Sequence, residues 1–318
     1  MSLPSGGPRL GRSLGTAAGL VGGIAAAVSL SSFFGSLWWL LDLAANYRPH
    51  HAAVLIVLGG IALLGDRRLA AAILGMALLD LAVIFPYVIG SPPGVADGAA
   101  RIEVMTFNVG ISNPNRGEVA AFIEEEDPDV VFVFESSFEW EDAFSRRDLD
   151  LQMVETVPAN RISGVTVLVR PSLRPLILHP GIAGETAAIQ VDLGDERVAI
   201  LGLHPPSPTS GERSARRDRM LADASRWVLG RQEQVIVLGD LNATPWSHAF
   251  RSLRYHAGLL DTMRGRGIQP TWPDGWGVFA IPIDHILHTP GLGSEDRHTG
   301  PAFSSAHRPV LATVGPRG

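Results

Sequence analysis

The hydrophobic rhythm of the chain changes near residue 100. Before it, apolar residues run together: no charged side chain occurs from Leu14 to Leu41, and Leu69 to Ile89 is apolar apart from Asp80. Each run approaches the roughly 20 residues that a membrane-spanning helix requires. Between them Ala52 to Leu64 is uninterrupted but shorter, and flanked by two longer runs it reads as a further crossing, so the pattern predicts three spans. A cleavable signal peptide fits the first run poorly, because the run is too long for a signal core and no small-x-small cleavage site ends it. The Gly- and Pro-rich "GSPPGVADGAA" at 90–100 then reads as a linker. From Arg101 the pattern becomes one of short segments rich in β-branched residues. "RIEVMTFNV", "DVVFVFE", "SGVTVLVR", "AAIQVDL", "RVAILGLH", "QVIVLGDLN", "PIDHILH" and "HRPVLATV" each predict a strand. Helical stretches fit between some of them, at Gly117 to Glu126, Phe138 to Arg147 and Glu212 to Leu229.

These elements predict a membrane region over 1–90, a linker over 91–100 and one α/β domain over 101–318, with sheets packed face to face and helices outside. No internal repeat of fixed period occurs. Charge adds an orientation. Arg9 and Arg12 precede the first span, and Arg67 with Arg68 lies between the second and third, which places those segments in the cytoplasm and everything after residue 90 outside it. The intervening loop carries Arg48, with Trp38, Trp39 and Tyr47 placed like interface anchors. All 26 basic residues are arginine, and no cysteine is present, which removes disulfides, thiol chemistry and Cys-based metal sites. A net charge of −6 shows no broad basic face for nucleic acid.

Polar residues recur at the strand ends. Asn108 follows "MTF", Glu135 follows "VVFVF", His204 follows "AILGL", Asp240 and Asn242 end "QVIVLGDLN", Asp284 follows "IPI", and His307 precedes "RPVLATV". Alternation along a strand puts Asp240 and Asn242 on one side where a buried sheet meets solvent. Any one of these is a common turn or cap residue; seven such residues at strand ends in one domain suggest chemistry.

In these residues the chain resembles the endonuclease/exonuclease/phosphatase superfamily of metal-dependent phosphoesterases. The resemblance rests on "TFNV" at 106–109, "FE" at 134–135, "GDLNATPWS" at 239–247, "TWP" at 271–273, "IDHIL" at 283–287 and "AHRPV" at 306–310, and it covers about 101–315. The N-terminal arrangement is similar to a membrane-anchored bacterial subgroup with three spans and an outward-facing domain, one member of which is associated with teicoplanin resistance. The resemblance implies a four-layered α/β sandwich of two packed mixed sheets flanked by helices, and hydrolysis of a phosphoester with Mg²⁺ or Mn²⁺, for which hard oxygen ligands are suited. It implies that Glu135 is the principal metal carboxylate with the Asn108 amide oxygen beside it. Asp240 would orient or deprotonate the water, Asn242 would hold a phosphate oxygen, His307 bonded to Asp284 would be kept protonated and aimed at the phosphate, and His204 would supply a second donor.

One position departs from the family. "SSAHRPV" carries Ala306 where the family has a metal-side aspartate, so the metal loses a charged ligand. The expected activity is therefore a membrane-anchored phosphoesterase acting on a lipid-linked phosphate or diphosphate, or a phospholipid headgroup, outside the cytoplasm. The alternatives are an extracytoplasmic nuclease of the same fold, and a membrane binding protein with a weakened site. The partners are the bilayer and a lipid phosphate, with nucleic acid second; no protein partner is inferred. Arg213 and Arg216, in "GERSARRDR", are candidates to grip a second phosphate. Asp80 is expected to face the other helices, and Trp246, Trp272 and Trp276 to pack in the core or at a rim.

Overall fold

The computed structural model of the protein describes residues 7–158 and 164–318, and the chain divides into two compact units, Met1–Pro86 with Trp246–His248, and Tyr87–Pro245 with Ala249–Gly318. The first unit holds α1 (Gly7–Ser31), α2 (Trp39–Ala45), α3 (Arg48–Ala62) and α4, which begins at Arg67 and runs to Val88. The charge-free run to Leu41 does not stay in one helix. At "LSSFFGS" the Ser31 and Ser32 hydroxyls turn back onto the Val28 and Ser29 carbonyls at 2.7 and 2.6 Å, and the chain tightens into a 3₁₀ turn over Ser32–Phe34. Among the described residues two helical stretches are long and apolar enough to cross a membrane, Gly11–Phe34 and Arg67–Val88.

Of the three runs expected to span, the middle one falls short of that length. Ala52 to Leu64 falls on α3, which has 15 residues, because the helix ends in a turn at Leu63–Gly65 and Asp66 starts the next one. The Asp66 carboxylate accepts from the amides of Arg68 and Leu69, an N-cap that fixes where α4 begins. Within the unit Leu55, Ala62, Ala70, Ile73, Met76 and Ala77 form an apolar core, while Leu20, Ile24, Val57, Leu78 and Phe85 point outward. Asp80 does face the other helices: it forms an ion pair of 2.6 Å with Arg48, both side chains fully buried.

The second unit carries strands β1 (Ile102–Asn108), β2 (Val130–Phe134), β3 (Gln152–Pro158), β4 (Gly164–Val169), β5 (Leu176–Leu178), β6 (Glu185–Leu193), β7 (Glu196–His204), β8 (Gln234–Asp240), β9 (Leu260–Asp261), β10 (Asp284–His288), β11 (Leu292–Thr299) and β12 (Val310–Pro316). They form two six-stranded sheets in the orders β11-β12-β1-β2-β4-β3 and β5-β6-β7-β8-β10-β9. Both are mixed, since β1 runs parallel to β2 and β7 to β8 among otherwise antiparallel pairs. Helices α5 (Arg116–Glu126), α6 (Phe138–Ser145), α7 (Gly211–Leu229) and α8 (His248–His256) complete the fold.

The strand sequences explain the layering. In β2 and β8 every residue but Gln234 is buried, as central strands covered on both faces require. Val130, Phe132 and Phe134 point into the core between the sheets with Ile236 and Leu238. Val131 and Val133 point the other way, against Val119, Phe122, Ile123 and Trp140 of α5 and α6. Val235 and Val237 pack against Met220, Leu221, Phe250 and Leu253 of α7 and α8. The segment at 90–100 is tied to this unit, with Val95 bridging to Arg317 and Ala96 N donating to Pro316 O at 2.8 Å.

Candidate functional site

The two parallel pairs bring the ends of four central strands to the same side of the sandwich. In the first sheet Asn108 lies across from Phe134, so the next residue, Glu135, comes beside it. Glu135 takes the left-handed conformation, φ 54°, and its Oε2 accepts from the Ile111 amide at 3.1 Å. In the second sheet the β8–β10 register sets Asp284 opposite Asp240. Gly239 has φ +136°, and a methyl group there would collide with the Leu203 carbonyl oxygen, so the residue before Asp240 must be glycine.

Asp240 is the hub. Its Oδ1 accepts from the Asn242 amide at 2.9 Å, and its Oδ2 accepts from Asn108 Nδ2 at 3.1 Å. The same Oδ2 lies 3.5 Å from His204 Nε2 and 3.7 Å from His307 Nε2. Asn108 Nδ2 also donates to Glu135 Oε1 at 3.1 Å, so one amide bridges the two carboxylates, while Asn108 Oδ1 accepts from the Gly110 amide. The Asn108 oxygen is thus turned to the backbone rather than to Glu135. Asn242 has φ 48° and donates through Nδ2 to the Pro205 carbonyl at 3.1 Å.

His307 Nδ1 bonds Asp284 Oδ2 at 3.0 Å. Burial by itself would lower the His307 pKa, but the charges of Asp284 and Asp240 and the Asp284 hydrogen bond outweigh it and raise the group to about 9. The imidazole is therefore charged at neutral pH, with Nε2–H directed toward the Asp240 carboxylate. Burial pushes the Asp240 carboxyl up, opposed by His307, and Asp284 adds to the rise.

His204 is held on its other side by Glu185, with Nδ1 and Oε2 2.5 Å apart. Burial again acts to lower this imidazole, and the hydrogen bond to Glu185 with the charges of Asp240, Glu185 and Glu135 raises it overall. With Glu185→Gln the burial contribution loses its main opponent, so the His204 pKa is expected to fall below its wild-type value. Histidine NMR titration checks this: a His204 midpoint unchanged or raised in the variant contradicts the assignment.

Sequence reasoning missed Glu185, yet a signal for it exists. Gly194 and Asp195 form a two-residue connection between β6 and β7, with Gly194 at φ +64° and Leu193 paired to Glu196. That turn fixes the register of the whole hairpin and sets Glu185 opposite His204. Two further supports have weaker signals. Ser305 Oγ donates to the Asn108 carbonyl at 2.7 Å and accepts from the His307 amide at 3.0 Å, and buried Arg217 donates to the Asn242 carbonyl at 3.3 Å.

A cleft of about 880 Å³ opens over these groups, lined by Asn108, Glu135, His204, Asp240, Asn242 and His307. Asp284 stands behind His307, fully buried. Arg213 and Arg216 line the same cleft, as do Trp272 and Ala306. Trp272 is thus a wall of the cleft, its ring centroid 6.4 Å from that of His307; Trp246 is buried and Trp276 exposed.

The donor chemistry suits a hard divalent cation. Glu135, Asp240 and Asp284 supply carboxylate oxygens, and Asp284 Oδ1 is buried without a hydrogen-bond partner among the described residues. Ligand atoms of Asp240, Asp284 and His307 lie within 4.8 Å of one another, close enough to share an ion. His307 would have to give up its proton to join such a set, which its raised pKa opposes.

The sequence profile of the Endonuclease/Exonuclease/phosphatase family matches residues 105–307, a span that contains every strand-end residue described above. Among curated proteins no relative is found by sequence. Solved structures do match. The chain is similar to TDP2 of D. rerio complexed with single strand DNA product, at 15% identity and a TM-score of 0.55 over 68% of this chain and 99% of that one. It is also similar to an endonuclease/exonuclease/phosphatase from Bacteroides vulgatus, at 16% identity and a TM-score of 0.56 over 68% and 99% of the two chains. A functionally unknown conserved protein from Enterococcus faecalis aligns at 12% identity with a TM-score of 0.56, over 68% of this chain and 100% of that one. At these identities the likeness concerns the fold.

Proposed function

The chain belongs to the endonuclease/exonuclease/phosphatase family, and we propose on that premise that it is a membrane-anchored, divalent-metal-dependent phosphoesterase hydrolysing a lipid-linked phosphate or diphosphate outside the cytoplasm. Members of this family are phosphoric ester hydrolases. The observation that carries the reading is the convergence on Asp240 Oδ2 of two imidazoles and an amide from three other strand ends and loops.

In this reading Glu135, steadied by the Asn108 amide N–H, would hold Mg²⁺ or Mn²⁺, which when bound would neutralise phosphate charge and polarise the phosphoryl group. Asp240 orients the attacking water and accepts its proton. His307 donates Nε2–H to a phosphoryl oxygen, and Asp284 keeps the Nδ1 proton in place and the ring charged. His204, held by Glu185, is a second cationic donor on the opposite side of Asp240. Asn242 sits at the cleft wall to bind a phosphoryl oxygen.

Membrane anchoring is supported by the composition of the first unit. Only 28% and 33% of the apolar windows in the two long helices are buried within the protein, less than a core helix of a soluble domain would be. Helix α3 also presents Val54, Ile56 and Val57 outward, as a third lipid-facing span would. At about 1.5 Å per residue it is ~22 Å long, short of the ~30 Å hydrocarbon layer, a mismatch that bilayers accommodate by thinning locally. Three spans with Arg67 and Arg68 on the cytoplasmic side leave the second unit outside, as in the membrane-anchored subgroup that the sequence resembles. Tethering raises the effective concentration of lipid headgroups at such a site.

Phosphate release by the full chain in detergent tests the reading, with prenyl phosphate, prenyl diphosphate, phospholipid and a single-stranded oligonucleotide as substrates at several Mg²⁺ and Mn²⁺ concentrations. Release from a lipid phosphate that stops on chelation is expected. Ala306→Asp is expected to lower the Mg²⁺ concentration for half-maximal rate by about tenfold, by restoring a charged ligand beside the ion. No release from any lipid phosphate at saturating metal overturns the proposal, and cleavage of the oligonucleotide alone replaces it with the nuclease reading.

A further inference from the structure

The cleft is wider than one phosphoryl group needs, and the residues assigned to that group occupy only one part of it. Along another wall runs the N-terminal half of α7, which contributes Arg213, Arg216 and Arg219. Spaced three residues apart, they sweep one broad helix face and extend about 9 Å along the axis. The fourth arginine of this stretch, Arg217, turns inward: it is buried, pairs with Asp218 at 2.9 Å and supports Asn242.

Among the described residues no carboxylate pairs with the outward row. Arg213 Nε donates to the Ser207 carbonyl at 2.9 Å, a neutral partner that aims the guanidinium without cancelling its charge. Arg216 and Arg219 have no hydrogen-bond or ion-pair partner among the described residues. The acid on the same wall, Asp223, is paired with Arg226. By contrast the reacting end already has its own donors in His204 and His307, each held by its own carboxylate. Three forked donors that the reaction does not use, in a cleft it does use, form an anion subsite.

We infer that Arg213, Arg216 and Arg219 bind a second anionic group of the substrate, so that the molecule hydrolysed is a compact one carrying at least two. This rests on the phosphoesterase reading above and narrows its substrate class. A compact substrate fits better than a nucleic acid because the row is short, acidic residues Glu135, Glu185 and Asp223 share the cleft, and the chain as a whole is at −6.

The test compares the full chain with Arg216→Gln/Arg219→Gln and with Arg216→Lys/Arg219→Lys, all in detergent with Mg²⁺ in fixed excess. For each, kcat/KM is measured on farnesyl diphosphate, farnesyl phosphate and a single-stranded oligonucleotide, and calorimetry gives the affinity for inorganic pyrophosphate and for phosphate. The wild type is expected to prefer the diphosphate over the monophosphate. The glutamine variant should reduce that preference at least tenfold, mainly through KM, and weaken pyrophosphate more than phosphate by a similar factor; the lysine variant should recover part of both. A preference and a pyrophosphate affinity that change less than twofold overturn the inference, as does an effect confined to the oligonucleotide. If the wild type hydrolyses none of the three, the phosphoesterase reading fails, while the calorimetry still decides whether the subsite exists.

Discussion

Replacing Asp240 by Asn is expected to lower kcat for phosphate release by about 10³-fold, the range found when a general base or a preorganised polar group is removed. The size of the effect follows from what the carboxylate does at once. It accepts from the Asn242 amide and from Asn108, and it faces both imidazoles within 3.7 Å. An amide of the same shape cannot take a proton from water, and its NH₂ must confront one of the donors now aimed at it. It also removes one of the charges that raise His307, so that imidazole should titrate below its wild-type value of about 9. The alkaline limb of the rate profile, where a required imidazolium loses its proton, should accordingly move to lower pH. Rates between pH 6 and 10 and the thermal midpoint check this together. A variant within threefold of the wild-type kcat would remove Asp240 from the chemistry; a collapsed thermal midpoint would assign the loss to folding instead.

How much of this could be read in the sequence depends on where each residue sits. The eight strands predicted from the pattern are β1, β2, β4, β6, β7, β8, β10 and β12, all interior to their sheets. The four it misses, β3, β5, β9 and β11, are the four edges. An interior strand is covered by neighbours and carries a run of apolar residues, whereas an edge strand such as "LGSEDRHT" is half exposed and shows no such signature. The strand-end residues were legible for the same reason: a polar residue that closes a wholly apolar run stands out, and Asn108, Glu135, His204, Asp240, Asn242 and His307 all line one cleft, with Asp284 bonded behind them. Glu185 did not stand out, since it opens a strand whose apolar part starts later and its meaning lies in a register set nine residues away at Gly194. The orientation of the Asn108 amide, and the division of the α7 arginines into three that face the cleft and one that faces inward, depend on tertiary contacts that no local pattern encodes.

The second large effect concerns the first unit. Asp80→Leu is expected to destabilise it by about 3–5 kcal/mol, the cost of leaving a buried charge without its partner. Asp80 and Arg48 are both fully buried and bonded at 2.6 Å, and neighbours support the pair: Ser29 donates to Asp80 at 2.6 Å, Arg48 donates to Ser32 at 2.8 Å, and the guanidinium lies over the Phe33 ring at 3.9 Å. The pair therefore joins α4 to α3 and, through the two serines, to the end of α1. Ser32 is also one of the two serines that bend the chain out of its first long helix, so the local turn and the polar cluster share that residue. Removing either charge alone strands the other in a medium that cannot solvate it. Removing both should not, and Arg48→Met/Asp80→Leu is expected to recover most of the lost stability, because a buried ion pair and an apolar pair of similar volume differ little. Thermal loss of helical signal and resistance to denaturing detergent, measured on the full chain in micelles, distinguish the cases. A single variant within about 1 kcal/mol of wild type would mean that the pair is already hydrated in solution. In the proposed orientation Arg48, held inside the helical unit by a carboxylate, would not count among the charges that set which side faces the cytoplasm.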